Sequence, residues 1–532
     1  MMIKKNIKYL AVLALGLIAC EPEFDNPIED AGTYSSGEAD FSNYVALGNS
    51  LTAGFADGAL YITGQENSFP NILSTRFAFA GGGEFTQPLM ADNVGGFAGN
   101  TDNFPPRLVL SFDTEGNPGP ARYTGDAPST DITANLGGSF NNMGIPGARV
   151  YHLVSAAAGY GNPAGLATDP PTSNPYFARF ASSPNAAVID DAVAQNPTFF
   201  SLWIGNNDIL GYATSGGVGV DHNETGNLVP STYSGNDITN NLVFAGAYTE
   251  LVTKLSANGT EGVLLNLPDV TSLPFFTTVP FAPLSPLDPN FGPQIPDLNE
   301  LYAGLNLAFA ALGVPERSVE FSITAASPVV VKDESLTDIT GNLATVLAGT
   351  FGPLAPVIAA QYGQARPATA ADLLVLTSSG IIGQVNTDRL AELVSLGVPQ
   401  DQAGQLSVNG VTFPLEDQYI LTPAEQASVE SARLSYNATI EALATANNLA
   451  FYDVAADLSQ AANGGIAFDG GVITSQFVTG GGFSLDGVHP TPRGHALVTN
   501  GILDAIEATY GTSLPRVNVA DYGTITLSNE VN

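Results

Sequence analysis

The chain has 532 residues, 44% of them apolar and 13% charged, with 51 Asp and Glu against 16 Lys and Arg for a net charge of −35. So acidic a surface repels phosphate backbones and anionic headgroups, which argues against nucleic-acid binding and against charge-driven adsorption to membranes. Cys20 is the only cysteine, so no intrachain disulfide can form; no calcium-loop spacing is present, and the acidity reads as a solubility device.

The first twenty residues read as a processing segment. Lys4, Lys5 and Lys8 precede an apolar run at 10–19 that is too short to span a bilayer, and Leu17-Ile18-Ala19-Cys20 closes it. That tetrapeptide resembles the bacterial lipobox, which implies removal of 1–19 and a lipid on Cys20; the alternative is an ordinary signal peptide with an incidental cysteine. Loss of the leader leaves 13 basic residues against 51 acidic ones, a net charge of −38. Membrane association would then rest on the lipid, and the expected location is the bacterial cell envelope at the outer membrane, on either face. Residues 20–40, polar with scattered Pro and Gly, read as a tether. Residues 41–512 read as one domain interrupted by insertions, and 513–532 as a tail with no assignable chemistry.

The domain opens on the apolar run Tyr44-Val45-Ala46-Leu47, a predicted buried strand ending at Gly48-Asn49-Ser50-Leu51. A strand that stops at Gly and then offers one Ser presents a hydroxyl where a nucleophile can meet substrate. Ser is also a common loop residue, so this stretch alone decides little. Residues 61–141 are rich in Gly, Pro, Phe and Asn and predict loops and short strands with little helix. In Met143-Gly144-Ile145-Pro146-Gly147, either Gly could bring a backbone N–H close to an oxyanion with no side chain in the way.

Strands alternating with helices follow. Ser183-Pro184 predicts a helix through Val188, Ala192 and Val193, and 198–204 a buried strand ending at Gly205-Asn206-Asn207-Asp208. Asn207, at a strand end, can point its NH₂ at an oxygen that becomes negative during acyl transfer, and Asp208 reads as a structural hydrogen-bonding residue. Leu242, Tyr248, Leu251, Val252 and Leu255 predict a helical face, and 262–268 a central parallel strand. The alternation predicts an α/β fold, a three-layer α/β/α sandwich with a parallel central sheet, whose ligands bind beyond the carboxyl ends of the strands.

From 271 to 419 the alternation breaks into Pro-rich loops, a helix with Leu298, Leu301, Leu305, Phe309 and Leu312 on one face, an apolar run at Val329-Val330-Val331, and a Leu/Ala-rich stretch at 343–362. This insertion either caps the site or extends the core away from it. Thr422-Pro423-Ala424-Glu425 then reads as a capping box opening a helix through Val429, Leu434, Ile440 and Leu443, followed by a last strand at 449–454. Near the end, Asp486 stands three residues before His489, just ahead of a helix opened by Thr491 and Pro492. A serine needs a base, and the base needs an acceptor on its other nitrogen. Of the other three histidines, His152 and His222 lack partners at a useful spacing and read as surface or packing residues, and His495, six residues after His489, reads as part of the final helix.

The blocks Gly48-Asn49-Ser50-Leu51, Gly147, Asn207 and Asp486-Gly487-Val488-His489, in that order, resemble the SGNH or GDSL family of serine hydrolases. The resemblance implies an α/β fold with a parallel sheet, of flavodoxin-like topology, and hydrolysis of esters without a metal or cofactor. Ser50 would be the nucleophile, His489 the base and Asp486 its orienting partner. The N–H groups of Ser50 and Gly147 and the side chain of Asn207 would form the oxyanion hole, with Gly144 the second choice for Gly147. Asn49 stands where the family most often has Asp, which puts local hydrogen bonding in question. Within this reading a lipase-like acylhydrolase competes with a carbohydrate O-acetylesterase. From another class, a non-catalytic surface lipoprotein could use the same fold to bind glycan or protein.

Overall fold

The computed structural model describes residues 34–531 except 113–115, 117, 156–158 and 169–170; the leader and Cys20 lie outside these. Its centre is a sheet of five parallel strands: β1 (Tyr44–Gly48), β2 (Asn142–Gly144), β3 (Phe199–Trp203), β4 (Glu261–Leu265) and β5 (Ala450–Tyr452). They lie side by side in the order β5-β4-β3-β1-β2, every neighbouring pair parallel. The strand order reverses direction between β1 and β3. In open parallel sheets that is where a crevice forms beyond the carboxyl ends.

Because side chains alternate along a strand, each strand feeds both faces of the sheet. Val45 and Leu47 of β1, Phe200 and Leu202 of β3 and Leu264 of β4 enter one core. There they meet the helices α1 (Val188–Val193), α2 (Asn241–Leu255) and α3 (Pro423–Ala446). Tyr44, Ala46, Phe199, Trp203, Val263 and Leu265 enter the opposite core, against the C-terminal helix α4 (Pro492–Tyr510) and the helix Phe69–Phe77. The architecture is thus mixed α/β, with a parallel sheet between two layers of helices.

Several local expectations need correction. The segment 61–141 contains the nine-residue helix Phe69–Phe77, whose Phe69, Ile72, Leu73 and Phe77 are buried; Pro70 sits in its first turn, where a missing N–H costs nothing. Leu242, Leu301 and Leu434 are 70%, 38% and 54% exposed, so they lie off the buried faces assigned to them. Phe244 and Tyr436 take those places between helix and sheet, and Tyr302 does so in the core of the insertion, each large ring filling the space a leucine would leave. The first α1 residue is Val188, later than Ser183-Pro184 suggests. The stretch read as tether is already fixed at Ser35, which pairs with Ser513, while Ala39 is buried. The capping box is present: Thr422 N–H donates to Glu425 Oε2 at 2.6 Å.

The insertion builds a core of its own. Val279, Tyr302, Phe309, Val329, Val330, Val331, Leu343 and Ile358 pack together, apart from the two cores of the sheet. It reaches the end of the domain through Phe275, whose N–H donates to Gly487 O at 3.0 Å. The tail beyond 512 also packs: Val517 and Val519 cluster with Ile72 and Ala496, and Arg516 pairs with Asp504 and Glu507.

Candidate active site

Ser50 lies one residue past β1, after Asn49, and begins the short helical turn Ser50–Ala53. The Asn49 side chain accepts the Leu51 N–H at 3.0 Å and so caps that turn, while its Nδ2 donates to Asn206 Oδ1 at 3.3 Å. An Asp at 49 could keep the cap but not the donation, so here Asn ties the serine turn to the end of β3. Gly48 is required by crowding: a Cβ there would lie 2.1 Å from Thr52 Oγ1 and 2.4 Å from Trp203 O. At the first position of a helical turn, the Ser50 N–H has no carbonyl four residues back to serve it.

The turn carrying Asp486 and His489 closes on itself, with Ser484 N–H donating to His489 O at 2.8 Å and Gly487 at a left-handed φ of +72°. His489 Nε2 lies 2.9 Å from Ser50 Oγ, and its Nδ1 lies 2.9 Å from Asp486 Oδ2. Asp486 Oδ1 also accepts the N–H groups of Val488 and His489, at 2.9 and 2.8 Å, and Oδ2 accepts Gly58 N–H at 2.9 Å. Burial pushes this carboxyl up, but the neighbouring His489 charge and these hydrogen bonds outweigh it and hold it down at about 2. It is therefore ionised at neutral pH, which fixes the His489 proton on Nδ1 and leaves Nε2 to accept from Ser50.

Asn207 Nδ2 donates to Ala148 O at 2.9 Å, so one amide hydrogen orients the side chain and the other remains for a ligand. Gly147 has φ +80°, and a Cβ there would come no closer than 4.0 Å to any atom, so the backbone conformation and not crowding calls for glycine. Gly144 differs. Its N–H is taken by Asn142 Oδ1 at 3.0 Å, and a Cβ would strike Ala53 N at 2.2 Å, which makes it a packing residue. Asp208 is wholly buried and accepts Val150 N–H at 3.0 Å; burial, opposed by Arg149, pushes its carboxyl up to about 6.

Two hollows meet at Asn207 and Leu210. One is a narrow apolar cavity of about 100 Å³ that starts at Ser50 and His489 and runs between Val454, Leu458, Ala461, Ile473 and Leu497. The other is a polar pocket of about 380 Å³ bounded by Gly147, Arg149, Tyr151, His152, Tyr233 and Ser234. Beyond Leu273 the insertion contributes nothing to the apolar cavity.

Sequence reasoning missed the residues that hold the turn in place. Asp57, at a left-handed φ of +55°, accepts Leu485 N–H through Oδ1 at 3.0 Å, and its own N–H donates to Ser484 Oγ at 3.0 Å. Its Oδ2 accepts from Arg107 Nη2 at 2.5 Å and from Tyr61 OH at 2.8 Å, all three buried. The Asp57-Gly58 pair was a visible turn signal, but nothing in the sequence links it to Arg107 or Leu485. His222 also has a partner that spacing concealed: its Nε2 lies 2.8 Å from Asp237 Oδ2 in a buried pair, against the ring of Tyr233 at 3.8 Å. His152 accepts Arg149 N–H through Nδ1 at 3.1 Å, and burial, with Arg149 beside it, pulls it down to about 3. His495 is buried in α4 with no protein partner on either ring nitrogen among the described residues; burial and then the charge of His489 lower it to about 3.

Comparison of the chain with protein-family models, with curated proteins and with solved structures finds no match.

Proposed function

We propose that the chain is a serine ester hydrolase of the SGNH type, acting through a Ser-His-Asp triad and an acyl-enzyme, exported and held at a bacterial envelope by a lipid on Cys20. The observation that carries this reading is the relay from Ser50 Oγ through His489 to Asp486, two contacts of 2.9 Å between residues at opposite ends of the chain. The switch point between β1 and β3 supports the family resemblance, since Ser50 follows β1 and Asn207 follows β3.

In the first half-reaction Ser50 Oγ attacks the ester carbonyl carbon as His489 Nε2 takes its proton. The carbonyl oxygen, now negative, is held by the N–H groups of Ser50 and Gly147 and by Asn207; a donor of this kind supplies roughly 3 kcal/mol. Collapse breaks the bond to the leaving oxygen, which receives the proton from His489. Water then repeats the sequence on the acyl-enzyme, freeing the acid and restoring Ser50. Asp486 stays ionised throughout and stabilises the imidazolium.

The apolar cavity beside Ser50 favours an acyl chain over an acetyl group, because an acetyl leaves that surface unfilled. An acylhydrolase is therefore preferred to an O-acetylesterase. The test is hydrolysis of p-nitrophenyl esters of increasing chain length. Turnover that rises from acetate to octanoate and vanishes in Ser50→Ala supports the reading. A preference for acetate favours the acetylesterase, and no turnover by folded protein favours the binding lipoprotein.

A further inference from the structure

The two hollows that meet at Asn207 differ in chemistry. Ser50 and His489 line only the apolar one, and Gly147 only the polar one. A carbonyl attacked by Ser50, with its oxygen toward Gly147 and Asn207, would send its acyl chain into the apolar cavity and its alcohol toward the polar pocket. We infer that the alcohol half of the substrate is a neutral polyhydroxyl group, a sugar or a glycerol, held in the polar pocket beside Gly147 and Asn207. This rests on the ester-hydrolase reading and adds the identity of the leaving group.

Three features of the pocket support a neutral polyol over a phosphorylated headgroup. First, the one cation there is already engaged. Arg149 donates to Gly235 O at 2.5 Å and to Tyr151 OH at 3.4 Å, and it acts electrostatically on buried Asp208. Arg149 is buried and its guanidinium is turned to these protein acceptors, so in a chain of net charge −35 the pocket offers an incoming phosphate no exposed cation. Second, the walls pair flat rings with hydrogen-bonding groups. Tyr151 and Tyr233 stand edge to face, with centroids 5.8 Å apart, suited to the C–H faces of a polyol. Neutral His152, whose Nδ1 is occupied by Arg149 N–H, has its Nε2–H left to donate to a hydroxyl. Third, the wall is built in advance. Asp237 accepts from His222, from Ser234 N–H at 2.7 Å and from Val220 N–H at 3.0 Å, which fixes the loop that carries Tyr233 before any ligand arrives.

The net reaction is water plus an acyl polyol giving a carboxylic acid and the free polyol; the C–O bond to the polyol breaks, and its oxygen takes the proton from His489.

The test compares kcat/KM of the full chain for glucose octanoate, monooctanoylglycerol, octanoyl glycerophosphate and methyl octanoate, which share one acyl group. The glucose or glycerol ester should exceed the methyl ester by at least ~10-fold, since a site built to bind hydroxyl groups discriminates against esters lacking them. The better of the two identifies the polyol, and Tyr233→Ala should erase the margin. Equal values for methyl and polyol esters, or a preference for the glycerophosphate, would overturn the inference while leaving Ser50-dependent ester hydrolysis intact. No Ser50-dependent hydrolysis of any of the four would overturn the ester reading and the inference together. The wild-type ranking decides the matter even if Tyr233→Ala fails to fold.

Discussion

Asp57 accepts the backbone N–H of Leu485 at 3.0 Å, fastening the segment just past Ser50 to the turn that carries Asp486 and His489. The two halves of the triad come from distant parts of the chain, and this carboxylate, with Gly58 N–H on Asp486, clasps one to the other. Asp57→Ala leaves Arg107 as a buried cation without its partner and should cost about 3 to 5 kcal/mol, read from the urea midpoint. Asp57→Asn keeps an acceptor for Leu485 and should fold better, while kcat falls about tenfold through looser placement of His489. Equal kcat in Asp57→Asn and wild type would contradict the positioning role.

Asp486→Asn should lower kcat by roughly 10⁴, because the amide no longer holds the His489 proton on Nδ1. The stability effect has a definite sign. With its carboxyl held down to about 2, below its ordinary 3.8, Asp486 stabilises the fold above the ordinary carboxylate range, and that contribution is lost as pH falls toward 2. The melting-temperature gap between wild type and Asp486→Asn should therefore be full at neutral pH and shrink on acidification.

The opposite sign applies at the base of α3. Carboxylate oxygens of Glu334, Asp417 and Glu425 lie within 4.8 Å of one another. Burial and then the Glu334 hydrogen bond and neighbouring charges push Asp417 up to about 8, and burial, with nearby carboxylates, pushes Glu425 up to about 7. Groups raised in this way stabilise the fold below the ordinary carboxylate range, and the contribution is lost as pH rises through 7 to 8. Asp417→Asn should thus melt higher than wild type in mildly alkaline buffer, with the difference fading toward about pH 5. A constant difference across that range would contradict this.

Leu458→Trp places a bulky ring in the apolar cavity beside Ser50. Octanoate turnover should fall by roughly tenfold or more relative to acetate, since overpacking excludes the longer chain first. Loss of both esters in equal proportion would place the acyl chain elsewhere.

Four of the five strands were legible because they are short apolar runs bounded by Gly, Asn and Pro; the stretches around Val45, Phe200, Leu264 and Phe451 lie within a few residues of β1, β3, β4 and β5, whereas β2 (Asn142–Gly144), only three residues long and without an apolar run, read as a Gly-rich turn. The approach of Ser50 to His489 was reachable from residue chemistry, because a lone Ser after a strand and an Asp three residues before a His each need the other. Asp57, Arg107 and Tyr61 were not legible, since a buried ion pair between distant loops leaves no local period. The helix Phe69–Phe77 was hidden by its Gly- and Pro-rich surroundings, although Pro70 in its first turn is a helix-start signal. The cavity depends on how the helix Val454–Asn463 faces α4, which is a matter of tertiary packing.

The most direct test of the central claim is intact-mass and peptide mass spectrometry after exposure of the protein to a fluorophosphonate, which phosphonylates an activated serine. The account predicts one adduct per chain, on Ser50, with labelling slowed severely in His489→Ala and abolished in Ser50→Ala. Folded protein that takes no adduct on Ser50, or labels equally fast without His489, would contradict it.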